Sequence, residues 1–360
     1  MARRRPRFSP GWPSCWSGPT PSSESDEPIR LQTGKLPPDL LRDLVLGRLG
    51  TRRPETLVRA ALGVDAAAVA VDADWACVLT TDPITTAAAG AGRLAVHVVC
   101  NDLAAMGAEP LGVLATLLFP EGVAPAAIAE LTAEIDAAAR SLSVEVLGGH
   151  TEVAPGISAP LAVMTGVGKA RRDRLVTAAG ARPGDALVLT KAAALEGSHI
   201  LATDMTAYLS VVPPDLLREA RGYADELSVV PEARVAVDLG ATAMHDPTEA
   251  GVVGALWEMA EASQCGFVVD AARIPVREAT RAICAALGVD PLRLISSGAL
   301  LIACRDGPAM MEGLRAGGIP AAQIGAMTDG PRLLIHPDGR EEPINQLDRD
   351  ELYRILEERG

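Results

Sequence analysis

The sequence is poor in several residue types, and each shortage narrows what the chain can be. Aromatic residues make up 3% of the 360 positions, so the core has to be built from Ala, Val, Leu and Ile. Lysine occurs only at Lys35, Lys169 and Lys191, and arginine supplies the other positive charges. The six cysteines (Cys15, Cys77, Cys100, Cys265, Cys284 and Cys304) contain no CxxC pair. Most lie in apolar runs such as WACVLT and LLIACR, where a buried free thiol is the plain reading. No apolar run approaches the ~18 residues that a membrane helix needs. The N-terminal arginines are not followed by the apolar stretch of a secretory signal. A cytoplasmic protein in a reducing compartment is the expectation.

What is present fits a folded body with a large core: 48% of residues are hydrophobic and 22% charged. The length favours two domains. The formal net charge is -13, and the first 35 residues are net basic, so the remaining body is more acidic still. Such a surface repels phosphates, which argues against nucleic acid and against an anionic membrane as partners. It does not exclude ATP, provided that metal ions bridge carboxylates to the phosphates.

Residues 1–34 are rich in Pro, Ser, Gly and charge and are expected to form a disordered tail. PPDLLRDLVLGRLG then reads as a helix with Leu41, Leu44, Val45 and Leu49 on one face. Strands are expected at 76–80, 111–119, 144–149 and 159–170, with helices over 93–107 and 124–142. The helix over 93–107 should be interrupted at Asn101-Asp102, and the strand over 144–149 should run into a Gly-rich turn. After the charged joint RRDR…ARPGD the alternation restarts. The pattern is α/β of mixed α+β type, with a first domain over 35–171, a second over 172–342 and an amphipathic helix over 343–360.

Four places put acidic residues at the ends of apolar elements. Asp65 follows Gly63-Val64, where small neighbours let backbone and carboxylate approach a phosphate or metal, although a turn before a strand reads the same way. Asp82 lies just past a buried strand, the usual place for a ligand in α/β sheets, although a turn in which Asp caps its own backbone reads the same way. Asn101 and Asp102 sit inside an apolar helix, which costs stability unless they bind something. Asp246 precedes Pro247 and a helix; it caps that helix or marks an anion site. Between these, Gly148 and Gly149 lead into His150-Thr151-Glu152, a possible backbone cradle for phosphate.

Taken in order, G-x-D-A-A, T-D, N-D-L-A-A-M-G-A-E-P, G-G-H-T-E, R-P-G-D, H-D-P-T-E-A-G and S-S-G-A-L resemble the ATP-dependent superfamily of aminoimidazole ribonucleotide (AIR) synthase and HypE over residues 35–335. The resemblance implies two α/β domains. The first would pair with its copy in a homodimer through a shared barrel-like sheet, and the second would form a larger α/β layer. It implies ATP and Mg²⁺ as cofactors, with Asp65, Asp82, Asp102 and Asp246 as metal ligands. Asn101, Gly148, Gly149 and Thr151 would lie at the nucleotide, and His150 or His245 would serve if the substrate must lose a proton.

Within the superfamily, HypE is nearest in the second domain, through Asp246 to Gly251 and Ile274 to Glu278. HypE acts through a C-terminal cysteine, whereas this sequence ends in Glu358-Arg359-Gly360. Thiamine-monophosphate kinase has an acidic residue where Val64 stands and GGD where His150 stands. The expectation is therefore an ATP-dependent enzyme that moves the γ-phosphoryl group to a small-molecule substrate. A thiamine-monophosphate kinase-like kinase and a non-catalytic ATP-binding accessory protein are the alternatives.

Overall fold

The computed structural model describes residues 31–84, 90–346 and 349–359. The disorder expected for residues 1–30, like Leu347 of the terminal helical pattern, lies outside them. The first layer opens with α1 (Pro38–Leu41), which continues into a wider turn over Arg42–Leu46. Its expected apolar face is not buried: Leu44, Val45 and Leu49 stay exposed. This segment also reaches the second domain, since Arg42 bonds Glu261 at 2.9 Å and Thr33 O accepts from Arg349 at 2.9 Å.

The first sheet contains β1 (Thr56–Val58), β2 (Ala67–Ala70) and β3 (Trp75–Ile84). Then follow α2 (Ala91–Ala105), β4 (Glu109–Phe119), α3 (Pro125–Ser141), β5 (Glu145–Val153) and β6 (Leu161–Arg171). The spatial order is β1-β2-β3-β6-β4-β5. Only β4 and β5 pair in parallel, with α3 as the crossover between them. Residues alternate along each inner strand, and Val113, Leu117, Phe119 and Met164 face α2 and α3.

Two local expectations are corrected here. Asn101 and Asp102 do not break α2, because tertiary partners satisfy both side chains. The strand at 145 does not turn at Gly148-Gly149 but continues to Val153 as an exposed sheet edge. Gly149 has to be glycine there: a Cβ would stand 1.8 Å from the Ala115 carbonyl oxygen, so the backbones pair more closely than any side chain permits.

The second layer runs β7 (Ala186–Thr190), α4 (Leu195–Asp204), α5 (Pro214–Gly222), α6 (Val230–Asp238), β8 (Ala243–His245), α7 (Gly251–Ser263) and β9 (Gly266–Asp270). It ends with α8 (Glu278–Leu287), β10 (Leu301–Cys304), α9 (Gly307–Ala316), β11 (Ala321–Thr328), β12 (Arg332–Ile335), β13 (Glu341–Pro343) and α10 (Glu351–Arg359). The sheet order is β13-β12-β9-β11-β7-β10-β8. Its buried strands β7, β8 and β10 lie at one end, and α7 covers one face. The C-terminal end of α2 packs into the other face, where Ala104 and Ala105 join Val229, Ala233 and Met244. α2 therefore belongs to both layers, and whatever it carries stands between them.

Candidate acidic active site between the two layers

β3 alternates inward at Ala76, Val78, Thr80 and Asp82, so its carboxylate end faces α2 rather than the outer face of the sheet. On α2 the matching residue is Asp102, whose Oδ2 accepts the Thr80 hydroxyl at 2.6 Å. Thr80 also lies 3.4 Å from Asp82 Oδ2 and 3.1 Å from the Asp65 carbonyl. A hydroxyl has one proton, so the shortest contact takes it.

Asp65 is brought in by a close approach of backbones. Gly63 adopts φ +69, and a Cβ on it would lie 2.6 Å from the Glu258 carbonyl of α7. The loop thus seats on the second domain, and Asp65 Oδ1 stands 2.6 Å from His245 Nδ1 at the end of β8. Asp246 follows and is 1% exposed, with neither carboxylate oxygen hydrogen-bonded. It does not cap α7, which begins at Gly251 behind Ala250.

Asp65, Asp82, Asp102, His245 and Asp246 line one cavity of about 290 Å³ together with Lys35, Glu196, Glu249 and Tyr353. Burial and the neighbouring carboxylates Asp246, Asp82 and Asp65 push the Asp102 carboxyl well above its usual range. Burial and Asp65 do the same to Asp246. Two positive charges, on His245 and Lys35, offset part of this. His245 lies between Asp65 and Glu258, with Nε2 at 2.9 Å from the latter. Burial opposes its charge, but Asp65 and Glu258 outweigh burial and hold the imidazolium protonated well above the normal range. Burial likewise opposes ionisation of Glu258, yet Lys35 and His245 pull it down to about 2. Lys35 sits at the mouth, 3.3 Å from Glu258 and with its backbone N–H on Glu249 at 3.0 Å.

The four aspartates singled out from the sequence therefore meet in one place. The other candidates do not join them. Asn101 is buried, but its amide is used by backbone: Nδ2 donates to Leu227 O at 2.8 Å and Oδ1 accepts from Val229 N–H at 2.9 Å. It clamps α2 to the second layer. Gly148, Gly149, His150 and Thr151 lie on β5 at the far sheet edge, all exposed, with His150 3.1 Å from Glu152. His245 is present, but it is hydrogen-bonded to Glu258 through Nε2 and ion-paired with Asp65 at Nδ1. These carboxylates hold it protonated, which leaves no lone pair for a base. Lys35, Glu196 and Glu258 were missed. Their signals were a lysine after glycine in a lysine-poor chain, and single acids inside the apolar runs AAALEGSHILA and GVVGALWEMA.

Residues 63–170 match the AIR synthase related protein, N-terminal domain, and residues 182–336 match the AIR synthase related protein, C-terminal domain. The carbamoyl dehydratase HypE of Cupriavidus necator is 32% identical over 288 residues, covering 76% of this chain and 79% of that protein. The chain belongs to the AIR synthase-related family. Among solved structures, the hydrogenase maturation protein HypE in complex with ATP superimposes with a TM-score of 0.67 at 25% identity, covering 88% of this chain and 96% of that one. AaThiL complexed with AMPPCP and TMP gives 0.70 at 18% identity over 89% and 99%, a likeness of fold. The expected two-domain AIR synthase-like fold, HypE-like in sequence, is thus the fold found. Among the described residues no helix is long and apolar enough to cross a membrane.

Proposed function

We propose that this chain is an ATP- and Mg²⁺-dependent enzyme that transfers the γ-phosphoryl group to a small-molecule acceptor. The observation that carries the reading is the meeting of Asp65, Asp82, Asp102 and Asp246 in one cavity, where Asp65 Oδ2 and both Asp246 oxygens are buried without a hydrogen-bond partner. Buried carboxylates without partners are costly. A divalent cation shared with phosphate oxygens would supply the missing partner, and an all-oxygen donor set suits Mg²⁺. Asp65, His245 and Asp246 also offer atoms within 4.8 Å of one another, but His245 is already committed to two carboxylates, so the carboxylates are the better ligand set. The ATP complex of HypE, a relative at 25% identity, supports the nucleotide.

When bound, the metal would neutralise phosphate charge and hold the oxygens in line. The chain's own residues do the rest. His245 fixes the orientation of Asp65, Thr80 fixes that of Asp102, and Lys35 places a positive charge at the cavity mouth. The acceptor oxygen forms its bond to the γ-phosphorus as the bond to the bridging oxygen of ADP breaks, and the acceptor proton leaves to solvent. Positioning and electrostatics suffice for such a step. A separate acceptor molecule is supported by α10, which is docked through Leu352 and Ile355 on the second layer and forms part of the cavity wall through Tyr353.

The same reading makes the protein a homodimer, joined by the outer face of the first sheet. It brings the β5 residues Gly148, Gly149, His150 and Thr151 to a nucleotide from the subunit interface. Calorimetric titration with ATP tests the core of the proposal. Binding is expected with Mg²⁺ and not with EDTA; equal affinity in both would remove the metal from the reading.

A further inference from the structure

A second cavity of about 660 Å³ opens beside the acidic one. Helices α2 and α3 of the first layer make one wall, and α4 with part of the 221–227 segment makes the other. The two cavities have Leu94 and Glu196 in common. Glu196 is 2% exposed, and its Oε2 has no hydrogen-bond partner. Burial raises its carboxyl to about 7, against hydrogen bonds from Ser297 that act the other way.

The remaining charges of the second cavity are mostly in use. Arg93 is paired with Asp225 at 2.5 Å, Glu134 accepts the Gly92 N–H at 3.0 Å, and Arg221 Nε donates to the Ala202 carbonyl at 2.9 Å. Carboxylates outnumber guanidinium groups around the space, and Ile200, Leu227 and Ala137 add apolar surface. A phosphate or carboxylate entering here would meet net negative charge. An organic cation would meet a buried carboxylate whose Oε2 has no hydrogen-bond partner, and an apolar wall.

We propose that this second cavity holds the body of the phosphoryl acceptor, and that the acceptor carries a cationic nitrogen that pairs with Glu196. The pairing fixes the molecule at the junction, with its free end turned into the acidic cavity. The inference rests on the proposed phosphoryl transfer for its purpose, but not for its ligand chemistry, which follows from the cavity alone.

The test uses the full chain and a matched series with one apolar body and different head groups: n-butylammonium, butyramide, butyrate and butyl phosphate. Binding is read by saturation-transfer NMR at millimolar concentration, and Mg²⁺-ATP affinity is measured in the same preparations. Butylammonium is expected to bind at least about tenfold more tightly than butyrate or butyl phosphate. Glu196→Gln should weaken it by about tenfold. Ala137→Trp, at an exposed position on α3, should fill the space and abolish butylammonium binding while leaving Mg²⁺-ATP affinity unchanged. No binding of butylammonium, equal binding of butyramide or of either anion, or a Glu196→Gln variant that binds butylammonium as well as the parent overturns the proposal. If the parent binds butylammonium in this manner but binds no ATP, the nucleotide reading falls and the cation site stands.

Discussion

Asp102 shows how a cavity of like charges registers in stability. Its carboxyl is raised by burial first and then by Asp246, Asp82 and Asp65. An acid whose folded pKa is raised contributes stability at low pH, and that contribution is lost as pH rises through the folded value. Asp246 acts in the same sense, and Glu196 and Asp350, both raised to about 7, place the loss in a measurable window. The raised His245 also loses its contribution on the alkaline side. Glu258, pulled down to about 2, acts oppositely in strong acid. His97, pushed down to about 4 by burial, acts oppositely up to about pH 6.5, one group against four raised carboxyls. Without metal, the melting temperature should therefore fall between about pH 5 and about pH 8, and Mg²⁺ with ATP should flatten the curve. Asp102→Asn keeps an acceptor for Thr80 and removes one negative charge. Its metal-free form should melt at or above the parent at pH 8, while losing Mg²⁺-dependent ATP binding. A variant that melts well below the parent, or still binds Mg²⁺-ATP normally, would contradict this account. The aspartates were legible in the sequence through the order of their motifs and the family resemblance that it carries, since singly Asp82 and Asp246 also read as a turn and a helix cap. The engagement of Asn101 by Leu227 and Val229 was not legible, since those partners lie more than 120 residues away.

At the scale of elements, β5 and α10 are the informative cases. Gly149 adopts φ +147, and its missing Cβ leaves room for the Ala115 carbonyl. Gly148 has a similar φ but open space, with its nearest neighbour Leu114 at 3.8 Å. Gly149→Ala should thus detach the edge strand and lower the melting temperature more than Gly148→Ala, which bears only backbone strain. Equal melting of the two variants would show that the close pairing does not matter. The glycine pair suggested a turn because glycine is ambiguous: it marks both bends and close backbone approach, and only the pairing partner decides between them. Among the described residues, the amphipathic helix expected over 343–360 is found only as α10 (Glu351–Arg359), because Pro343 ends strand β13, and within it Leu352 and Ile355 are buried. Ile355→Ala should cost about 2–5 kcal/mol in a denaturant titration and leave Mg²⁺-ATP binding intact at low temperature. Tyr353, however, lines the acidic cavity and donates to Glu249 at 2.8 Å. Deletion of the whole helix would therefore mix a loss of packing with a change in the cavity wall. Strand β11 left little trace in the sequence, because AAQIGAMT lacks the alternation that betrays β3.

At the scale of the whole molecule, the two layers are covered unequally. The first sheet buries one face under α2 and α3. On the other face Leu79, Leu111, Leu114 and Leu147 are each at least one-third exposed on adjoining strands. β3, β6 and β4 carry this face in register, with Leu79 opposite Val167 and Leu114 opposite Thr165. An apolar face of this kind on a sheet of few aromatics is costly in water, and a two-fold copy of the same face is the simplest cover. A stable dimer needs about 1,200–2,000 Å² of total buried surface, which a six-stranded sheet face can supply. Light scattering at micromolar concentration should therefore give a dimer of the 37.3 kDa chain. Leu114→Arg places a charge near the middle of that face and should yield a monomer, because pairing would bury the guanidinium twice around the symmetry axis without a partner. The variant should keep the fold of the second layer, so near-native circular dichroism with a halved mass is the expected outcome. A parent protein that is already monomeric would mean that the outer face is tolerated in water. The β5 segment would then have no route to a nucleotide, and the acidic cavity would have to work with the residues of one chain.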